Sequence, residues 1–194
     1  SLNMEYLDDL AVTMGASCDD LVPVNAKLQD HKVGRFLQAR GYRYLHVGPL
    51  FEPTIENRYA DENYNASPAN LIGTPFLARC LSDPSLPPDT RSWWSELQGI
   101  RHWLSAKYQF EKLAEISKRP ERKFVFAHIL VPHSPYVFDR NGRFLPPDPF
   151  QTRTDGERYI EQLRYANTQV KLLVDQILAN AAHPPVILLQ ADEG

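Results

Sequence analysis

Cysteine is scarce: Cys18 and Cys80 are the only two, far apart and without CxxC spacing. That excludes a zinc knuckle and a redox dithiol, and leaves one disulfide open. Basic clusters are missing as well. With 21 Lys and Arg against 24 Asp and Glu the net charge is −3, whereas a chain built for nucleic acid carries a basic footprint. No run reaches the roughly 18 to 20 apolar residues of a membrane span, and the N-terminus lacks a secretory pattern. GxSxG, P-loop, GxGxxG and HExxH motifs are absent, so the usual hydrolase, kinase, dehydrogenase and metalloprotease signatures are missing and no attacking group is obvious. Internal repeats and low-complexity segments are also absent.

What is present suits one globular domain: 194 residues, 43% hydrophobic and 23% charged, enough to bury a sizeable core. The chain opens at Ser1-Leu2-Asn3 and stops at Ala191-Asp192-Glu193-Gly194 directly after an apolar run, and it reads as a piece of a larger protein. Asn3 can cap a helix with Met4, Leu7, Leu10, Ala11 and Met14 on one side and Gly15 as its stop. A second helix is expected from Asn25 to Arg40, with Gly41 placed for a left-handed cap. Tyr42–Val47 then reads as a strand.

From Pro49 to Pro88 the chain is rich in Pro, Asn and Asp, a long irregular excursion whose one helical candidate is Ala69–Leu81. Asn65-Ala66-Ser67 forms a glycosylation sequon of the kind that arises often by chance. A long helix is expected from Arg91 to Lys118, ended by Pro120, with the tryptophans as core. Lys123–Val131 is a nearly continuous apolar run, the mark of a central strand covered on both faces. Thr154 to Glu157 matches a capping box that opens a helix running to Ala182, and Val186–Leu189 reads as a second buried strand. The alternation predicts an α/β fold, a three-layer α/β/α arrangement with a mostly parallel sheet, incomplete at both ends, in a single domain spanning 1–194.

In such sheets ligands bind beyond the carboxyl ends of the strands. His133, stiffened between Pro132 and Pro135, can be presented there to an anion or ester oxygen. Asp192 and Glu193, leaving the last strand, are hard oxygen ligands suited to Mg, Mn, Ca or zinc, though the same Asp-Glu-Gly can be a solvated turn. His128 is read either as a core histidine or as a second site candidate. His31, His46, His102 and His183 are read as surface or packing residues.

Phe126–Tyr136, with its HxxxPHxPY pattern, the Tyr165-Ala166-Asn167 helix and Val186–Gly194 together resemble the sulfatase branch of the alkaline phosphatase superfamily, most of all its membrane-anchored, lipoteichoic-acid-synthase-like members. The opening Ser1–Leu7 and Phe36–Tyr42 are similar too. The resemblance implies a metal-dependent hydrolase or phosphotransferase acting on sulfate or phosphate esters through a Ser, Thr or modified Cys nucleophile. It implies Asp192 as a metal ligand, Glu193 standing where relatives carry His or Asn, and His133 with His128 on the anionic group. It places the nucleophile before Ser1, so this segment alone is expected to show no turnover. It also implies a parent anchored by N-terminal spans, with the catalytic domain outside the cytoplasmic membrane. The alternative is a non-catalytic sulfatase-like domain that binds an anionic glycan or lipid headgroup. A third reading is an unrelated α/β domain.

Overall fold

A computed structural model describes residues 2–3, 12, 15, 19–20, 22–67, 75, 93–146 and 152–191. Among them are helices α1 (Val22–Gln29) and α2 (Lys32–Gln38), strands β1 (Arg43–Val47) and β2 (Glu62–Tyr64), helix α3 (Trp93–Ser117), strand β3 (Lys123–Ala127) and helix α4 (Asp155–Asn180). The strands form one sheet in the order β2-β1-β3, and both pairings are parallel. Arg43 lies opposite Lys123 and Val47 opposite Ala127, while Leu45 faces Glu62 and Val47 faces Tyr64. The expected α/β class is therefore the observed one. No helix among the described residues is long and apolar enough to cross a membrane.

The period of two along β1 sorts its side chains between two helical layers. Leu45 and Val47 join Leu113 and Ile116 of α3 in one core, against which Val125 and Leu173 of α4 pack. Tyr44 and His46 point to the opposite face, where they meet Phe124, Phe126 and, from the start of α2, His31. A larger core lies between α3, α4 and the 131–144 segment. There Phe138 stacks on Tyr165 at 4.4 Å between centroids, and the fully buried Trp103 donates Nε1–H to the Gly142 carbonyl at 3.1 Å. The reading of Trp103 as core holds.

His31 and His46, read from sequence as surface or packing residues, are both buried in one polar row. His31 Nδ1 accepts from the Gly34 amide at 2.9 Å and Nε2 meets the Tyr44 hydroxyl at 3.0 Å. That hydroxyl lies 3.3 Å from His46 Nδ1, and His46 Nε2 reaches the Thr54 carbonyl at 2.9 Å. Burial lowers both imidazole pKa values, with His46 adding to the effect on His31 and His128 adding to that on His46.

Other expectations need correction. The helix expected over Asn25–Arg40 is two, because His31 takes an extended backbone (φ −93°, ψ 144°) and caps α2 with its ring. Gly41 does adopt φ +79°. The excursion after Pro49 contains β2, which its polar composition hid. Lys123–Val131 was expected to be a central strand, but among the described residues β3 is at the sheet's edge and ends at Ala127, its side chains half-buried and Ala127 exposed. Val186–Leu189 was expected to be a buried strand. It has no strand partner among the described residues, and Val186 and Leu188 are 90% and 88% exposed; a strand exists only through a paired ladder. The capping box is as expected, with the Thr154 side chain and Glu157 bonded reciprocally. The helices expected near Met4–Met14 and at Ala69–Leu81, and both cysteines, lie outside the described residues.

Candidate functional site

Because all three strands run the same way, their carboxyl ends share one edge, and α3 closes that edge from the side of Leu45 and Val47. At the end of β1 stands Gly48, where a Cβ would run into the Thr54 and Ile55 carbonyls. Only glycine lets the 51–56 loop approach so closely. That approach sets Thr54, whose Oγ1 lies 2.7 Å from His128 Nδ1. His128 follows β3 directly and continues the ladder by donating its amide to Val47 O at 3.1 Å. It is half-buried at the edge, not sealed in the core.

A buried glutamine braces these strand ends. Gln109, 1% exposed on α3, donates Nε2–H to His128 O at 2.6 Å and to Val47 O at 3.4 Å. One side-chain amide thus ties the last carbonyl of β1 and the first carbonyl past β3 to α3.

His133 sits six residues past the end of β3 in a loop with cis peptides at Val131-Pro132 and Ser134-Pro135. Its side chain is exposed, and Nδ1–H donates to the Ser134 carbonyl at 2.7 Å. In the neutral ring that bond leaves Nε2 as the acceptor; in the imidazolium Nε2 also donates, and that is the form that meets an anion. The loop is held by Gln162 of α4, which is fully buried. Its Nε2 donates to the carbonyls of Pro132 (3.1 Å), His133 (2.8 Å) and Pro135 (3.5 Å). Its Oε1 accepts from the amides of Val137 (2.8 Å) and Phe138 (3.3 Å). Arg158 adds a donor to Tyr136 O at 2.8 Å.

A pocket of about 100 Å³ opens between this loop and α3, lined by Pro49, Leu50, Leu130 and Pro135 and, from the helix, by Gln98, Arg101, His102 and Ser105. His102 Nε2 and Ser105 Oγ are buried in it with no hydrogen-bond partner among the described residues. Buried polar atoms are nearly always paired, so these two mark a place for a ligand's or a water's polar atoms. Burial, reinforced by His133, takes the His102 pKa down to about 4, so the ring is neutral at pH 7. His102, read from sequence as a surface or packing residue, instead lines the pocket. Gln109, Gln162, Ser105 and Thr54 were not singled out at all. For the glutamines a signal exists: each lies on the apolar stripe of its helix, Gln109 with Ala106, Phe110 and Leu113, Gln162 with Tyr165 and Ala166.

Of the four residues singled out from sequence, His128 and His133 both follow the carboxyl end of β3, the ring of His128 against Thr54 and that of His133 against the Ser134 carbonyl. Asp192 and Glu193 lie outside the described residues. Among the described residues, no three His, Cys, Asp or Glu side chains converge to hold a metal ion, and His128 and His133 alone do not make a donor set for one. The sequon residue Asn65 is fully buried, its amide on Glu56 Oε1 at 3.1 Å, which withholds it from modification in the folded chain. Comparison with protein-family models, with curated proteins and with solved structures gives no match.

Proposed function

We propose that this chain is the central part of a metal-dependent, sulfatase-like hydrolase or phosphotransferase acting on sulfate or phosphate esters, and that the anionic group is received at the carboxyl edge beside His133 and His128. One observation carries the reading: both histidines of the HxxxPHxPY run lie in the segment that leaves the carboxyl end of β3, and the pocket between that segment and α3, lined by Leu130 and Pro135, holds two buried polar atoms without a partner among the described residues. The residue pattern supplies the reaction class. Asp192 and Glu193 are the proposed oxygen ligands for a divalent cation, the nucleophile belongs to sequence before Ser1, and a membrane anchor to spans before that.

The test is titration of the chain with inorganic sulfate and phosphate, with and without Mn²⁺, followed by NMR of the histidine rings. The expected result is that both anions shift His133 and His128, that His133→Ala weakens binding at least fivefold, and that Mn²⁺ strengthens binding unless Asp192→Asn is present. Nitrophenyl sulfate and phosphate are not turned over. Rings that neither anion moves overturn the reading. Binding indifferent to Mn²⁺ and to Asp192→Asn replaces it by the non-catalytic one, a domain that holds an anionic glycan or lipid headgroup.

A further inference from the structure

Along α3, Gln98, His102, Ser105 and Gln109 follow one another at intervals of four, three and four residues, which puts all four on one stripe of the helix. A stripe that packs against the helix's own protein is ordinarily apolar. This one runs from the surface inwards: Gln98 is exposed, His102 half-buried, Ser105 4% exposed and Gln109 1%. Gln109 gives its amide to the strand ends. Ser105 Oγ and His102 Nε2, one turn apart and lining the same pocket, have no hydrogen-bond partner among the described residues. A buried polar atom left unpaired costs stability, so the pair points to something the pocket receives.

The chemistry of the pocket narrows what that is. Its other wall is apolar, built of Leu50, Leu130 and Pro135, and offers water no partner on that side. The His102 ring is neutral at pH 7, so nothing at Ser105 and His102 offsets the charge of an anion; the cationic Arg101 lines the pocket from an exposed position. A hydrocarbon would leave both polar atoms unpaired. A hydroxyl both donates and accepts, and therefore satisfies Ser105 Oγ and His102 Nε2 in either tautomer. Side chains three apart on a helix have Cβ atoms about 5 to 6 Å apart, a span that hydroxyls on adjacent carbons bridge, and about 100 Å³ takes a skeleton of about two or three carbons.

We infer that this pocket is a subsite for a vicinal diol, its two neutral hydroxyls held by Ser105 and His102 and its carbons lying against Leu50 and Leu130. The inference rests on the function proposed above in one respect: the diol belongs to the alcohol part of the ester, and the anionic group stays outside, on the side of Arg101 and His133.

Titration of the chain with 1,2-propanediol and with 1,3-propanediol, followed by NMR of the His102 ring, tests it. The two probes have the same atoms and differ in hydroxyl spacing. The first should shift the ring saturably and bind at least threefold more tightly than the second. Ser105→Ala should weaken that binding at least fivefold and leave the thermal midpoint unchanged or higher, because it removes a hydroxyl without a partner and places a strong helix former on α3. Methyl glucoside that displaces the diol assigns the hydroxyls to a saccharide and failure to displace it assigns them to a smaller polyol, and either result upholds the subsite. A ring that neither diol moves gives the pocket to water and overturns the inference, as do equal affinities for the two diols or an undiminished affinity in Ser105→Ala. Sulfate binding without diol binding would sink the subsite alone, and diol binding without sulfate or phosphate binding would sink the functional reading alone.

Discussion

Gln162 holds His133 by its main chain: the amide of one donates to the carbonyl of the other at 2.8 Å, leaving the imidazole outside and free to face a ligand. The same side chain bonds four further main-chain groups of the 132–138 segment.

Gln162→Leu should therefore act on both stability and the loop. It strands the buried amides of Val137 and Phe138, at a cost of about 3 kcal/mol. Urea denaturation should show that loss, and His133 ring resonances should broaden or move although the ring itself has lost no partner. A loss below about 1 kcal/mol would mean that the segment is held by its apolar contacts.

Tyr44→Phe removes the hydroxyl that lies between two histidines. His31 Nε2 and His46 Nδ1 both lose their partner inside the core, for an expected cost of about 2 to 3 kcal/mol. The conservative change keeps the ring packing against Phe124, so a near-neutral result would show that water replaces the hydroxyl.

Acid should weaken the fold in two stages. His31, His46 and His102 all titrate below the usual 6.5 when folded. The unfolded chain binds protons first, and stability rises with pH wherever that holds. The histidine contribution is thus complete above 6.5 and is lost on acidification, for His102 down to about 4. Glu62, hydrogen-bonded by Arg119 and Tyr64, and Glu161, bonded by Arg140, are both lowered to about 2. Their contribution is complete above 4.5 and falls from there towards about 2. Urea midpoints measured across this range should decline in both windows; a flat profile between 6.5 and 4.5 would contradict the buried-histidine assignment.

His133→Ala should raise the pKa of His102. Burial is the larger cause of its depression and His133 the second, so the shift is partial. NMR titration of the His102 ring reads it directly, and an unchanged or lower value would separate the two residues.

Gly142→Ala should cost about 2 kcal/mol or more. Gly142 has φ +82°, and an added Cβ would sit 2.7 Å from the Tyr165 ring, which stacks on Phe138. Thermal unfolding should show the loss, and Gly41→Ala, at φ +79° with open space around it, should cost less.

Local signals in the sequence proved readable. The Thr154–Glu157 capping box, the β1 run and Gly41 are each written within a few residues, and the structure follows them. What depended on distant partners was not. Glu62-Asn63-Tyr64 is polar and becomes a strand only because Glu62 answers Arg43 and Arg119 while its backbone pairs with β1. An apolar run such as Lys123–Val131 states that burial is wanted, and the neighbouring strands decide whether both faces receive it. His128 and His133 were legible as site residues because prolines and a strand end frame them. Gln109 and Gln162 were not, since a helical glutamine is ordinarily solvated, and only its place on an apolar stripe betrays otherwise.

The row from α2 to Thr54 has a sense of direction. Gly34 can only donate to His31 Nδ1, and the Thr54 carbonyl can only accept from His46 Nε2. His31 must then donate to the Tyr44 oxygen, and Tyr44 to His46. Every hydrogen points the same way, and a peptide group terminates each end. Such a chain can neither take up a proton from solvent nor pass one on without breaking at an end, so despite two histidines and a tyrosine in line it conducts nothing; it is a fixed dipole laid along β1.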